Sequence, residues 1–250
     1  MAKKRELTSR EKSEKIHFDE MAKLYDENYT YNTAFTQYKI QKKLAILFSN
    51  VDRNKKFKIL EIGAGTGEYT QHLAQLFPKA QITAIDISPK ILEVAKAKCK
   101  KYRNIRYQTA SVYELPYADQ EFDFVCGFYI LHHLNLEVSL REVHRVLKKD
   151  AEALFYEPNI LNPVVFAIKE FAPLKKLAGD SPDEWAINPL SLHSTAPWFS
   201  DVTCQTTEFI AVPSSLPFSV AVLLDKVFGV IGKLPFINLL GGSVSIKMTK

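Results

Sequence analysis

The sequence predicts an α/β fold in which a doubly wound, mostly parallel sheet carries helices on both faces. From residue 57 onward, short apolar runs typical of strands alternate with segments whose apolar residues recur at helical spacing. A glycine turn at 63–67 joins the first of these strands directly to a helix, and the second strand ends at the carboxylate of Asp86. Strands and helices alternating at this spacing form parallel βαβ units with right-handed crossovers.

The predicted elements follow in order. The first fifteen residues are expected to be a flexible charged tail or a solvated helical turn. Residues 16–56 are expected to be a cap of two helices, one beginning at Ile16 and one over 35–50. Ser88 and Pro89 occupy the N-cap and the first turn of a later helix, as those residue types prefer. Strands are expected over 57–62, 81–85, 105–109, 122–127, 153–157, 203–212 and 243–248. A single domain is therefore predicted, with a core at 57–160, substrate-side segments with the last two strands at 161–250, and a long insertion at 213–242.

Composition narrows the class of protein. The 250 residues are 46% hydrophobic and 24% charged, with a net charge of +5, which fits a globular chain and offers no concentrated basic face for nucleic acid. The charged N-terminus lacks the apolar stretch of a signal peptide, and no apolar run is long enough to span a membrane. Three widely spaced cysteines indicate neither a disulfide framework nor a metal site. A cytoplasmic protein is expected.

The glycine turn is the most informative segment. Missing side chains let the backbone approach a ligand closely, and Asp86, about twenty residues on, lies where a carboxylate would face a ribose. Glu68 stands where a dinucleotide loop has its third glycine, and Glu61 precedes the turn. Carboxylates repel a pyrophosphate and attract an ammonium or sulfonium, so the loop favours a cationic nucleoside ligand.

Several motifs together resemble the class I S-adenosylmethionine-dependent methyltransferases, of the small-molecule type. Glu61–Gly67 (EIGAGTG) is similar to the first motif of that family, and Asp86-Ile87-Ser88 to its second. The segments SVYELPY at 111–117, LHHL at 131–134 and REVHRVLK at 141–148 resemble later motifs. The resemblance implies a seven-stranded sheet in the order 3-2-1-4-5-7-6, with strand 7 antiparallel, and S-adenosylmethionine as the cofactor.

The resemblance also implies cofactor contacts. Asp86 would bind the ribose hydroxyls, Glu61 would lie beneath the cofactor, and Tyr25 would close over it. Ser111 stands where the family usually has an aspartate, so adenine would lose a charged acceptor. The residues implied in cofactor binding are Tyr25, Glu61, Gly63, Ala64, Gly65, Gly67, Asp86, Ile87, Ser111, Val112 and Phe128. The alternative for the glycines is tight strand–helix packing, and for the apolar residues a place in the core.

Candidate catalytic bases should follow strands 4 and 5, because open α/β sheets bind ligands at the carboxyl ends of their strands. His132 and His133 follow strand 4, Glu157 ends strand 5, and His193 is a weaker candidate. Any of them would take a proton from an acceptor that needs a base. Packing or capping is the alternative for the histidines, and bonding to nearby backbone amides is the alternative for Glu157.

The acceptor is less constrained by sequence. The segment at 216–231 is apolar on nearly every side and is expected to be covered, as a lid over an apolar substrate, as core or dimer contact, or as a membrane-surface element. We expect a small-molecule acceptor, either apolar or glycolipid-linked, and a monomer or homodimer. A non-catalytic cofactor-binding protein and a nicotinamide-dependent oxidoreductase are the alternatives.

Overall fold

A computed structural model describes residues 5–22, 31–178, 184–210, 212–213 and 216–250. Seven strands form one sheet in the order β3-β2-β1-β4-β5-β7-β6, which confirms the predicted topology. Strands β1 to β5 are parallel, and β7 is antiparallel to both β5 and β6. The strands are β1 (Lys58–Ile62), β2 (Gln81–Asp86), β3 (Ile105–Thr109), β4 (Phe122–Phe128), β5 (Leu147–Pro158), β6 (Asp201–Thr207) and β7 (Ser243–Thr249).

Helices cover both faces of the sheet. Two 3-10 turns, Leu131–His133 and Ile237–Leu239, follow β4 and α9. In the described part of the chain, no helix is both long and apolar enough to cross a membrane. The helices are α1 (Ser9–Met21), α2 (Ala34–Leu47), α3 (Glu68–Leu76), α4 (Pro89–Lys98), α5 (Leu136–Val146), α6 (Pro163–Glu170), α7 (Ala172–Ala178), α8 (Leu192–Thr195) and α9 (Phe218–Ile231).

The core is divided by the sheet, because successive side chains of a strand point to opposite faces. Leu60 and Ile62 of β1 pack on the face covered by α5, whereas Ile59 packs on the face covered by α2 and α3. All three side chains are fully buried. Burial on both faces explains why these strands read as continuous apolar runs.

The N-terminal helix begins at Ser9 and not at Ile16, so residues 9–15 are helical, the second of the two alternatives, and not a flexible tail. Thr8 and Glu11 form a capping box, in which each side chain accepts a hydrogen bond from the backbone N–H of the other residue. The helix has too few apolar residues for its period to reveal it. Tyr25, which was predicted to close over a cofactor, lies outside the described residues.

Strands β5 and β6 differ in length from the prediction, because their ends are set by the strands with which they pair. β6 ends at Thr207 because its partner β7 starts at Ser243, opposite Thr207. β5 starts at Leu147, well before the predicted residue 153, because it pairs with Phe122 of β4 there. The subdivision of the chain into cap, core and substrate-side segments stays a prediction.

Within the described part of the chain, α9, the apolar helix of the insertion, is largely uncovered, so it is not core; the lid, dimer-contact and membrane-surface alternatives stay predictions. Only Ala221 and Asp225 are buried along it, and their spacing of four residues places them on one face. The Asp225 carboxylate accepts hydrogen bonds from Lys42 Nζ at 2.6 Å and from the Tyr38 hydroxyl at 3.1 Å. An ion pair with α2 therefore anchors this helix, while its apolar side chains face outward.

Candidate active site

The glycine turn after β1 is built from left-handed backbone. Gly65 has φ of +53°, and a Cβ there would meet no atom within 4 Å, so its open side faces a cavity that it lines. Gly67 has φ of +80°, but a Cβ there would lie 2.9 Å from Ala95 Cβ in α4. Gly65 thus keeps space free for a ligand, and Gly67 serves helix packing, which was the alternative interpretation. Gly63 lines the cavity, whereas Ala64 is buried and bonded to Ile85 of β2.

Asp86 closes the floor of this cavity at the end of β2. Its Oδ2 accepts a hydrogen bond from Gly65 N at 3.0 Å, and its Oδ1 accepts one from Ser88 N at 2.9 Å. Burial raises the pKa of the Asp86 carboxyl, against the lowering effect of these backbone N–H groups. The carboxylate is therefore fixed in orientation and still borders the cavity.

Glu61 lies beneath the turn and is almost fully buried. Its Oε2 has no hydrogen-bond partner among the described residues. Burial raises the pKa of this carboxyl to about 8, with the Asp86 charge adding to the rise and Thr70 opposing it. A buried carboxyl without a full set of partners is costly, so a ligand or an ordered water that donates to Oε2 would stabilise it.

Helix α1 forms the roof of the cavity. The sequence did not predict that residues before 16 would take part in the site. Arg10, Glu11, Glu14 and Phe18 all line it. The Ser111 hydroxyl donates to the Glu11 carboxylate at 2.5 Å, which ties α1 to the loop after β3. The capping signature of Thr8 and Glu11 is the sequence signal that would have found this helix. Four of the predicted contact residues also line the cavity: Ile87, Ser111, Val112 and Phe128.

A second cavity, of about 440 Å³, adjoins the first. Phe18, Tyr129 and His133 line both cavities, so the two meet at these side chains. The rest of its wall is aromatic and cationic, with contributions from Tyr31, Phe35, Lys39, Lys43, Tyr69, His132, Lys169 and Glu184.

Comparisons with known proteins agree with this geometry. A family model described as a methyltransferase domain matches residues 60–155. Demethylmenaquinone methyltransferase of Chlorobaculum parvum is 34% identical over 151 residues, which are 59% of this chain and 61% of the relative. The chain therefore spans about three-fifths of the length of that relative.

Solved structures share the fold over most of the chain. A S-adenosylmethionine-dependent methyltransferase of Thermotoga maritima covers 93% of this chain, and 98% of its own length is matched, with a TM-score of 0.66 and 18% identity. Residues 60–155 match the methyltransferase domain family, and the chain has the fold of these solved methyltransferases. Phosphoethanolamine N-methyltransferase 2 of Haemonchus contortus, solved with S-adenosylhomocysteine, matches 84% of this chain and 52% of that protein, with a TM-score of 0.59 and 18% identity.

Glu157 does not reach either cavity of the methyltransferase domain. Its side chain is fully buried, and Oε1 accepts hydrogen bonds from Ile130 N at 2.9 Å and Leu131 N at 2.8 Å. Oε2 lies 2.7 Å from His132 Nδ1. Burial raises the pKa of Glu157 to about 7. The prediction of a substrate contact is corrected, because Glu157 holds the 3-10 turn that carries the two histidines.

The two histidines have different surroundings. Burial holds the pKa of His132 well below its usual value, and its Nδ1 is bound to Glu157, so it is a neutral, fixed ring. His133 Nδ1 lies 3.2 Å from Oε2 of Glu14 in α1, and its ring borders both cavities. His193 is exposed on α8 and lines neither cavity. Of the three, His133 is the one placed at the junction.

His132, His133 and Glu184 are the group of described residues whose donor atoms, within 4.8 Å of one another, could hold a metal ion. Glu184 is in an ion pair with Lys169 at 2.9 Å, which balances its charge within the protein. Glu184 lies in a proline-rich stretch of the sequence and lines the second cavity. Nothing in the sequence around it predicted that it would lie close to His132 and His133.

An ionic cluster beside the second cavity joins Lys43 of α2 to Tyr129 and Glu208, and the sequence did not predict it. Lys43 Nζ donates to the Tyr129 hydroxyl at 2.6 Å and lies 3.6 Å from Glu208 Oε1. Burial acts to lower the pKa of Lys43, but Glu208 and Tyr69 raise it overall. Although burial opposes it, the charges of Lys43 and Lys39 hold the pKa of Glu208 at about 2. Tyr129, directly after β4, has φ of +56°, an uncommon left-handed conformation that often marks functional sites.

Proposed function

We propose that this chain transfers a methyl group from S-adenosylmethionine to a small aromatic or apolar acceptor bound in the second cavity. The observation that carries the proposal is the junction of the two cavities at Phe18, Tyr129 and His133. A methyl transfer needs donor and acceptor in line and shielded from water, and the junction is where two ligands would meet.

The residues of the first cavity fit the cofactor, which would supply an activated methyl group on a sulfonium. The unpartnered Oε2 of Glu61 suits a cationic or hydrogen-bond-donating group, and Gly65 leaves space for close approach. Asp86 would accept from the ribose hydroxyls. Ser111 lacks the charge of the aspartate found in similar enzymes, but the Glu11 carboxylate bonded to it supplies a negative charge at the same place.

The acceptor is expected to carry an acidic oxygen on an aromatic or apolar body. Tyr31, Phe35 and Tyr69 offer ring surfaces, and Lys39 and Lys43 bring positive charge into the same cavity. Lys43 and the Tyr129 hydroxyl would donate hydrogen bonds to an oxygen that becomes anionic. The curated relatives named demethylmenaquinone methyltransferase support an acceptor of the quinol type.

His133 is proposed to take the proton that the acceptor loses. Histidine is the side chain that enzymes use most often as a general base. The Glu14 carboxylate, 3.2 Å from His133 Nδ1, would stabilise the imidazolium that forms. His132 would act indirectly, since its bond to Glu157 fixes the turn that positions His133.

Two measurements test the proposal. Calorimetric titration with S-adenosylhomocysteine should give a saturable heat, and NADH should give none. Incubation with methyl-labelled cofactor and a panel of naphthohydroquinones, phenols and sugars should label the aromatic acceptors. Cofactor binding with no labelled product from a cell extract would favour a non-catalytic binding protein, and binding of NADH in place of the adenosyl compound would overturn the assignment.

A further inference from the structure

Exposed apolar side chains are concentrated in two segments of this protein. Of the eighteen large apolar side chains that are exposed within the described ranges, fifteen lie between 164 and 177 or between 218 and 240. No residue of α6 or α7 is buried, and Leu177 and Phe236 are each 85% exposed. We refer to the exposed apolar residues of these two segments as the apolar face. Monomeric proteins rarely expose apolar surface in such concentration unless it binds something.

The two segments meet in the fold. The Asn162 amide, at the N-cap of α6, donates to the Leu240 carbonyl at 2.6 Å, and the Asn159 amide donates to the Leu239 carbonyl at 2.9 Å. The N-terminus of α6 therefore lies beside the end of the insertion that contains α9. Val164 N and Leu240 O both bond to the Asn162 side chain, so exposed residues of the two segments are neighbours at this point.

Positive charges predominate around the apolar face. The acid of α9, Asp225, is turned inward and neutralised by Lys42, and Lys169 of α6 is paired inward with Glu184. The exposed charged residues of the two segments are then Lys176, Lys226 and Lys233 against Glu170. Apolar side chains with lysines at the edge are typical of helices that lie in the interface of an anionic membrane.

The apolar face also borders the second cavity. Lys169 of α6 lines that cavity. From α9, the Phe218 ring contacts the Tyr38 ring edge-to-face, and Tyr38 stacks on Phe35 of the cavity wall. A molecule dissolved in a bilayer would therefore have a short route from the surface contacted by α6 and α9 to the junction of the cavities.

We infer that the apolar face is a membrane-docking surface that rests in the headgroup region of an anionic bilayer. The helices α6, α7 and α9 would lie in the interface, with their apolar side chains in the acyl boundary and Lys176, Lys226 and Lys233 at the lipid phosphates. Membrane binding by this face does not depend on the methyl transfer proposed above, so the two can fail separately.

Vesicle sedimentation tests the inference. The full chain should sediment with vesicles of phosphatidylcholine and phosphatidylglycerol at about 3:1, and less with phosphatidylcholine alone, the difference shrinking in high salt. The double variant Leu223→Asp/Val227→Asp should have a partition coefficient onto the anionic vesicles at least about tenfold lower than the wild type, because both side chains are exposed on α9. The matched control Val138→Asp/Leu190→Asp changes exposed apolar residues outside the apolar face and should bind as the wild type does.

A second variant keeps the test independent of helix folding. Lys226→Glu/Lys233→Glu should bind phosphatidylcholine vesicles as the wild type does and lose the preference for anionic ones. Equal sedimentation of the wild type and Leu223→Asp/Val227→Asp would overturn the inference. So would light scattering that shows a stable dimer, disrupted by the same substitution, with no vesicle binding by the wild type. Calorimetry with S-adenosylhomocysteine on each variant reports the cofactor site separately.

Discussion

The carboxylate of Glu11 accepts a 2.5 Å hydrogen bond from the hydroxyl of Ser111, one hundred residues further along the chain. The same carboxylate accepts from Arg5 Nη2 and from Thr8 N. Burial acts to raise the pKa of Glu11, but the bonds from Ser111 and Arg5 outweigh it and lower the pKa below its usual value. One side chain therefore caps α1 and ties it to the loop after β3, over the first cavity.

Replacing this side chain should loosen α1. Glu11→Ala removes half of the capping box and the tie to Ser111, and we expect the free energy of opening α1 to fall by about 1–2 kcal/mol. Hydrogen exchange of the α1 amides should be about tenfold faster as a result. Glu20→Ala, an exposed substitution in the same helix, is the matched control. Unchanged exchange in Glu11→Ala would show that other contacts hold the helix.

Asp86→Ala should weaken binding of the cofactor. The substitution removes the proposed ribose acceptor and also the bonds that fix Gly65 N and Ser88 N, so a loss of about 1–3 kcal/mol in binding free energy is expected. Calorimetric titration with S-adenosylhomocysteine measures it, and Asp52→Ala in an exposed turn serves as the control. Wild-type affinity in Asp86→Ala would contradict the ribose assignment.

Glu61 should make the stability of the empty protein depend on pH. Since burial raises its folded pKa to about 8, the folded chain holds the protonated form, and the stability from this group is full below pH about 4.5 and is lost as the pH rises toward 8. Glu61→Gln lacks this loss. Its melting temperature relative to the wild type should therefore rise between pH about 5 and about 8. For the control Glu93→Gln, an exposed substitution, the melting temperature relative to the wild type should not change with pH. If the same were found for Glu61→Gln, Glu61 would be ionised over the whole pH range.

Cofactor binding should release a proton from Glu61. A cationic ligand favours the ionised carboxylate, so a group that is protonated in the empty site at pH about 7 must lose its proton when the ligand binds. Calorimetry of S-adenosylmethionine in two buffers of different ionisation enthalpy measures the proton count. The wild type should release a substantial fraction of one proton, and Glu61→Gln should release none.

His133→Gln should slow catalysis without weakening the cofactor. Loss of a general base costs about 10²–10⁴-fold in rate, whereas the hydrogen bonds that fix the Asp86 carboxylate come from the backbone N–H groups of Gly65 and Ser88 and not from His133. Turnover of a labelled hydroquinone measures the first effect and calorimetry the second. His193→Gln, on the exposed face of α8, should keep full activity. If His133→Gln also kept it, the acceptor would lose its proton to another group or need no base.

The sequence by itself determined the architecture and the cofactor loop. The core strands are buried on both faces, so their sequences are apolar runs. The glycines at 63, 65 and 67 directly follow β1, and Asp86 ends β2. The order of the seven strands followed from the motifs and is confirmed. The apolar runs and the glycine turn are local in sequence, so spacing alone predicts them, whereas the strand order was implied by the resemblance to a known family.

Only the tertiary structure decided which side chains meet. Glu11 and Ser111, Lys43 and Tyr129, and Asp225 and Lys42 are each far apart in the chain, and no periodicity relates them. From the sequence, Glu157 was either a substrate contact or a carboxylate bonded to backbone amides. In the structure it bonds to the amides of Ile130 and Leu131. The sequence also predicted that α9 would be covered; within this chain the ion pair of Asp225 with Lys42 anchors the helix, and most of its large apolar side chains are exposed. Partners chosen by long-range packing depend on the whole fold, which no local pattern encodes.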